Sequence, residues 1–160
     1  MVRDPGPIRH RHIYIILLAA VTIWCVLILL PVFSDSSHFC QQYSGLINLF
    51  FSPVCHQQAA RTIHLFNRPM AVCARCSGIY FGFLAGLILY PLFYRPFKKL
   101  PDRWLFLGAC IPTGADIFWE RILGNPSSNT IRGISGLILG IVCGYILLPY
   151  ILEVFDNQKQ

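Results

Sequence analysis

Charged side chains are scarce in this sequence, and their scarcity excludes a typical soluble protein. Aspartate, glutamate, lysine and arginine make up 12% of the 160 residues, whereas hydrophobic residues make up 55%. Soluble domains carry about 25% charged residues, roughly twice this share. Because so few charges cannot keep a folded surface solvated, the composition indicates one integral membrane domain over residues 1–160.

The sequence also lacks a concentrated basic patch, although its net charge is +6. Eight of the thirteen lysines and arginines lie at the N-terminus, within residues 95–103 or at the C-terminus. Basic residues beside apolar segments are typical of the cytoplasmic ends of membrane spans. We therefore expect the partners to be membrane lipids and expect no binding to nucleic acid.

Long apolar runs are what the sequence does contain, separated by prolines and polar residues. Several reach about 18 residues or more, enough for a helix to cross a bilayer. The first run shows no small-x-small cleavage site after it, so we interpret it as a retained anchor. The fold prediction is an all-α bundle of four transmembrane helices, and the predicted spans are about 13–33, 77–94, 104–123 and 131–152.

The distribution of basic residues predicts how this bundle is oriented. Four spans place the N-terminal arm and the basic 95–103 loop on the same side, which the positive-inside rule makes cytoplasmic. Both termini are then cytoplasmic, and residues 34–76 form an outward loop that contains cysteine and histidine. Within it, the apolar stretch Leu46 to Phe51 is too short to cross, and we expect it at the interface or re-entering.

Glycines recur every fourth residue in the second and fourth predicted spans. Small residues at this spacing form a flat stripe that lets two helix backbones approach closely in lipid. The pattern predicts that these two spans pack together along the following residues: Gly78, Gly82, Gly86, Gly136, Gly140 and Gly144.

Four residues around a C-x-x-C motif form a candidate metal site: Cys55, His56, Cys73 and Cys76. A C-x-x-C turn places two sulfurs close together, a geometry suited to zinc, to another soft metal or to a redox disulfide. Neighbouring side chains usually diverge, so His56 next to Cys55 has an alternative role beside the metal ligands, in proton transfer. Structurally inert thiols are the remaining interpretation.

Polar residues within the third and fourth spans form a candidate pocket. Asp116 lies deep in a span, where a carboxyl group is costly unless it is paired or faces a wet cavity. Its expected partners are the arginines at the outer end, Arg132, Arg121 or Arg61. Glu120 lies near the end of its span, where reaching to the interface explains it. Ser128 or Asn129 can cap the fourth span, or Asn129 and Arg132 can bind an anion such as a lipid phosphate.

These motifs together resemble a family of small prokaryotic membrane proteins catalogued as domain of unknown function 2085. The resemblance covers about residues 50–145 and is carried by Ser52-Pro53-Val54-Cys55-His56-Gln57, Arg61, Val72 to Gly82 with its Cys73-Ala74-Arg75-Cys76, Asp116, and Ser128-Asn129-x-x-Arg132-x-x-x-Gly136. It implies a prokaryotic cytoplasmic membrane and marks the same site residues, with Arg75 added. The family name supplies no activity.

Three functions remain open at this point. The first is a metalloprotein whose Cys/His site lies over a pocket that processes or recognises a phosphorylated or lipid substrate; its catalytic residues would be Asp116, Arg132, Asn129 and Arg61. The second is a quinone-linked thiol–disulfide oxidoreductase that uses Cys73 and Cys76, by analogy of architecture alone. The third is a carrier or assembly subunit without catalysis.

Overall fold

The chain folds mainly into helices, with one small hairpin. The computed structural model describes residues 11–33, 38–97, 102–122, 124 and 127–157. Its elements are α1 (Arg11–Leu29), α2 (His38–Phe51), β1 (Thr62–Leu65), β2 (Arg68–Cys73), α3 (Ala74–Phe97), α4 (Asp102–Ile122) and α5 (Asn129–Asn157). A 3-10 turn, Leu30–Phe33, continues α1. Each of the four predicted spans coincides with a long helix, so the helical character is confirmed.

Two of these helices are long and apolar enough to cross a membrane. They are Arg11–Phe33 and Asn129–Leu152, each of which contains an 18-residue stretch of high mean hydropathy, 3.0 and 2.1 respectively. Helix α3 continues to Phe97, so the loop that was predicted to begin at residue 95 begins after residue 97. The remainder of that loop at residues 98–101, the basic arm at residues 1–10 and positions 125–126 of the last turn lie outside the described residues.

The hairpin corrects the prediction of a purely helical fold. Strands β1 and β2 pair antiparallel, with Thr62 opposite Cys73 and Leu65 opposite Arg68. Phe66 and Asn67 connect them with φ angles of 51° and 62°, the left-handed pair of angles typical of tight two-residue hairpin turns. Sequence reasoning missed this turn because its usual signature is Asn-Gly or Asp-Gly.

The apolar stretch that was expected at the interface forms the second half of α2. Leu46, Leu49 and Phe50 are exposed, whereas Phe51 is fully buried. A helix with one exposed apolar face and one packed face suits the boundary between lipid and water.

The main core lies where α1, α2 and β2 meet. Its buried residues are Ile28, Val32, Phe51, Cys55, Met70, Ala71 and Val72. The Trp24 ring packs edge-on against Phe51, with centroids 5.1 Å apart. Trp24, Cys76 and Tyr80 pack against the same core, so the start of α3 is fixed to the far end of α1.

Helices α3 and α5 touch backbone to backbone, as the glycine spacing predicted. A Cβ atom added at Gly78, Gly82 or Gly86 would lie under 3.0 Å from a carbonyl oxygen of α5, and one added at Gly136, Gly140 or Gly144 would meet α3 in the same way. The contacts advance four residues at a time in the same direction along both helices, so the helices run parallel. Their N-terminal ends, with Cys76 and Asn129, therefore lie side by side.

Candidate metal and ion-pair site

Three different elements deliver three cysteines to one place. Cys55 follows the last turn of α2, where its N–H donates to the Phe51 carbonyl at 3.0 Å. Cys73 is the last residue of β2, and Cys76 lies in the first turn of α3. The pairing of β1 with β2 and the α1–α2–β2 core hold these elements together, so the cysteines converge through packing.

Gln57 fastens the segment that carries Cys55. Its backbone φ of 47° lies in the left-handed region, which is unfavourable for a residue with a side chain. Its Nε2 donates to the carbonyl of Asn48 at 2.7 Å and to that of Ala71 at 2.9 Å. These bonds tie the segment to both α2 and β2, and so offset the unfavourable backbone angle.

The sulfur atoms of Cys55, Cys73 and Cys76 all lie within 4.8 Å of one another. The Cys73 N–H donates to the Cys55 sulfur over 3.2 Å, the kind of support that a charged sulfur favours. His56 is exposed and does not belong to this group. The structure thus brings together three of the four residues predicted to bind metal.

The two cysteines of the C-x-x-C turn differ in acidity. The Cys76 side chain hydrogen-bonds to the Cys73 sulfur, which lowers the pKa of Cys73 to about 5; backbone N–H groups of Cys76 and Arg75 act in the same direction. The same side-chain hydrogen bond, together with burial, raises the pKa of Cys76. These hydrogen bonds favour the thiolate at Cys73, the form that binds metals and attacks disulfides.

Beside the cysteines, two carboxylates and three arginines form a connected network. Arg75 pairs with the Asp116 carboxylate. Arg61 reaches Glu120 Oε1 at 2.6 Å, and Arg132 reaches the same oxygen at 3.1 Å. Arg75 also lies 3.9 Å from Glu120 Oε2. Asp116 is therefore buried and paired with an arginine, as predicted, but the partner is Arg75 and not Arg132, Arg121 or Arg61.

Two buried atoms of this network have no hydrogen-bond partner among the described residues. They are Arg75 Nε and Arg132 Nε; Asp116 also hydrogen-bonds with the Ser127 side chain. The side chains of Asp116 and Arg132 are only 2% and 5% exposed. Buried polar groups are nearly always satisfied by protein, water or ligand, so the network has the capacity to bind a small polar group.

The start of α5 joins this network to the hairpin. Ser128 caps the helix, since its Oγ accepts from the Ile131 N–H at 3.3 Å. Asn129 Nδ2 donates to the carbonyls of Ala60 at 3.3 Å and Thr62 at 3.2 Å, while its Oδ1 accepts from Arg132 at 3.1 Å. Asn129 thus links the backbone before β1 to the buried arginine.

The sequence did not reveal the central part played by Glu120 and Arg75. The sequence alone explains Glu120 as an interfacial residue, and it marks Arg75 as a site residue only through the family resemblance. A signal was present, because Asp116 and Glu120 are four residues apart and lie on one face of α4. The sequence does not show which arginine packs against that face of α4.

Comparison with known proteins identifies a family for this chain. The family model described as a predicted membrane protein, DUF2085, matches residues 55–146. An uncharacterised protein of Methanocaldococcus jannaschii is 32% identical over 152 residues, which cover 92% of this chain and 97% of that protein. Another, from Methanothermobacter thermautotrophicus, is 31% identical over 111 residues, or 68% of this chain and 95% of that protein. No solved structure matches. The chain belongs to the DUF2085 family of predicted membrane proteins.

Proposed function

We propose that this membrane protein binds a soft metal ion, zinc in the first instance, through Cys55, Cys73 and Cys76. The observation that carries the proposal is the mutual approach of the three sulfurs to within 4.8 Å. Zinc–sulfur bonds of about 2.3 Å place two sulfurs of one tetrahedral site about 4 Å apart, so a small inward movement completes the geometry. Sites with three protein ligands leave a fourth position for water or substrate.

The polar network lies directly next to this site and supports a role beyond structure. Arg75 belongs to the C-x-x-C turn and also pairs with Asp116, so one residue joins the cysteines to the network. Arg61, Arg132 and Asn129 would bind an anionic group, and Asp116 would hold or accept a proton. A phosphorylated or lipid substrate fits this chemistry. The unpaired buried Nε atoms of Arg75 and Arg132 support such a ligand.

Replacing any one of the three cysteines by serine should remove the metal. We expect zinc in the detergent-purified protein to fall from about one ion per chain to nearly none, because each thiolate supplies a large share of the binding free energy. Elemental analysis of the wild type, Cys55→Ser, Cys73→Ser and Cys76→Ser measures this loss. His56→Ala in the same series tests whether histidine is a fourth ligand.

Cys25→Ser is the matched control. Cys25 is also buried, but its sulfur points to the Tyr80 carbonyl at 3.6 Å and is not part of the sulfur group. This variant should retain zinc fully. A wild-type protein that contains no zinc after purification in zinc-supplemented buffer, with all three thiols open to alkylation, would contradict the proposal.

We further propose that α1, α3, α4 and α5 all cross a prokaryotic cytoplasmic membrane, with both termini on the cytoplasmic side. Support comes from the alternation of the helices: Cys76, Glu120 and Arg132 lie together although α3 and α5 begin at that end and α4 ends there. The exposed apolar residues of α4, such as Trp104, Ile111 and Phe118, suit contact with lipid.

Labelling with a membrane-impermeant maleimide in intact cells tests this topology. A cysteine introduced at Phe66, which is 83% exposed in the hairpin turn, should react from outside. One introduced at Lys99 should react only after the cells are opened, because the basic loop is expected to be cytoplasmic. The wild type gives the background from native cysteines. Reaction at Lys99 from outside would reverse the orientation.

A second candidate function is thiol–disulfide exchange linked to a quinone. The specific observation in its favour is the geometry of the C-x-x-C turn, in which the Cys73 and Cys76 sulfurs lie within 4.8 Å and the Cys76 side chain hydrogen-bonds to Cys73. Oxidation of the Cys73 thiolate and the Cys76 thiol to a disulfide would release two electrons and one proton. A quinone would take these up, with a second proton from water, to become a quinol. A zinc-free protein whose Cys73–Cys76 disulfide is reduced by quinol would favour this function over metal binding.

A further inference from the structure

An apolar groove lies between the hairpin and the paired helices α3 and α5. It has a volume of about 500 Å³. Its walls come from β1 and β2, from the first turns of α3 and from the first turns of α5; they include Ile63, Met70, Phe81, Gly133, Ile134 and Leu137. We call it the hairpin groove. It follows α5 from Asn129 to Leu137, a distance of about 12 Å at the rise of an α-helix.

One side of the hairpin groove opens onto a surface suited to lipid. Ile134 is 54% exposed and Leu137 is 37% exposed. Both belong to α5, which is one of the two helices long and apolar enough to cross a membrane. A hydrocarbon chain would therefore enter the groove sideways from the bilayer, without passing through water.

The other end of the hairpin groove is polar and adjoins the ion network, whose three arginines outnumber its two carboxylates by one charge. Asn129 lines it and holds the backbone on either side of Arg61 through its bonds to the carbonyls of Ala60 and Thr62. The Arg61 side chain pairs with Glu120 at 2.6 Å but is 46% exposed, so its remaining N–H groups are open to an outside ligand. An arginine with this exposure suits a lipid phosphate.

Two residues that line the groove also contact the cysteine site or its core. Ser77 lines it and donates to the Cys73 carbonyl at 2.9 Å. Met70 lines it and belongs to the core that contains Cys55. A lipid whose hydrocarbon chain occupied the groove would thus place its head group close to the three cysteines.

We propose that the hairpin groove binds the hydrocarbon chain of a membrane lipid whose anionic head group lies beside Arg61. The inference deepens the lipid part of the proposed function and rests on it, but it does not depend on the metal. It names the ligand by chemistry: one long apolar chain in the groove and a phosphate at its polar end.

Gly133 gives a direct test, because a side chain there would occupy the groove without separating the helices. A Cβ atom at Gly133 would meet only the Ala74 carbonyl at 3.8 Å and Ile63 Cδ1 at 3.9 Å, which are ordinary contacts. Gly133→Leu should therefore fill the groove. Gly108→Leu is the matched control, since nothing lies within 4 Å of a Cβ atom at that position. Ile134→Trp narrows the same groove from its exposed edge.

The measurement is native mass spectrometry of each variant with phosphatidylglycerol, with phosphatidylcholine and with inorganic phosphate. We expect one bound phosphatidylglycerol on the wild type and on Gly108→Leu, and about tenfold or greater loss of occupancy in Gly133→Leu and Ile134→Trp. Phosphatidylcholine should bind more weakly, and Arg61→Gln should remove that preference. Phosphate alone should bind weakly, because it lacks the chain.

Zinc content and oligomeric state, measured on the same samples, separate the possible outcomes. Lipid loss with zinc retained supports the proposal, and it would stand even if the wild type held no zinc. If Gly133→Leu loses both lipid and zinc, the lipid occupancy and zinc content of Ile134→Trp decide between support and rejection in the same way. Unchanged lipid occupancy in a folded groove variant would overturn it. A change from dimer to monomer without any change in lipid would also overturn it, since the groove would then bind a second copy.

Discussion

Gly140→Leu should prevent the chain from forming a stable bundle. A side chain at this position would meet the Ile79 carbonyl oxygen and, at 2.8 Å, the Phe83 nitrogen. Both obstacles are backbone atoms of α3, which no rotamer change can move. Overpacking in a core usually costs about 1–3 kcal/mol, and we expect about 3 kcal/mol or more here because the helix axes themselves must separate. Gly82→Leu should act in the same way from the side of α3.

Thermal unfolding in detergent, followed by circular dichroism, measures this effect. The control is again Gly108→Leu, which introduces the same side chain into α4 where nothing is within 4 Å. It should unfold close to the wild-type temperature, whereas Gly140→Leu should unfold well below it or fail to accumulate. Equal unfolding temperatures for Gly140→Leu and Gly108→Leu would show that α3 and α5 do not pack along their glycines.

Asp116→Asn should destabilise the protein strongly through the arginine that it leaves behind. The Asp116 side chain is 2% exposed and pairs with Arg75. Removing one partner of a buried ion pair costs about 3–5 kcal/mol, since the other charge stays buried without compensation. We expect the lower end of that range, because the Arg75 side chain is 22% exposed and Glu120 is 3.9 Å away.

The double variant Asp116→Asn with Arg75→Gln tests the cause. If the uncompensated arginine is responsible, the double variant should be more stable than the sum of the two single losses predicts, by about 1–3 kcal/mol. Arg121→Ala is the control, because Arg121 is exposed on the same helix and should change stability by less than about 0.5 kcal/mol. Strictly additive losses for Asp116 and Arg75 would mean that their pairing contributes nothing.

The helices and their pairing were predictable because they depend on local patterns. Apolar run length gave each long helix, and the four-residue repeat from Gly78 to Gly86 gave the contact with α5. Both signals act within a few turns, so the sequence carries them directly. The approach of Cys73 to Cys76 was also predictable, since a C-x-x-C turn brings these two sulfurs together. Cys55 joins them only through the packing of α2 against β2.

The hairpin and the centre of the ion network were harder to predict for one physical reason. Each depends on contacts between residues far apart in the chain. The Phe66-Asn67 turn forms because β1 and β2 gain the α1–α2 core as a partner, and neither strand is long or strongly apolar. Glu120 became central because packing brought three arginines from different elements to it. The spacing of residues along α4 shows which side they share, but not what faces that side.

The parallel contact between α3 and α5 has a consequence for how the chain is made. The glycine face of α3 leaves the ribosome well before its partner, since α4 and the first turns of α5 must be synthesised in between. At about 5–20 residues per second this delay lasts on the order of seconds. During that time α3 presents bare backbone to lipid or to the insertion machinery. A truncated mRNA that lacks the coding region for α5 would leave α3 permanently without its partner helix. The truncated protein made from it should be a preferred substrate for membrane proteases.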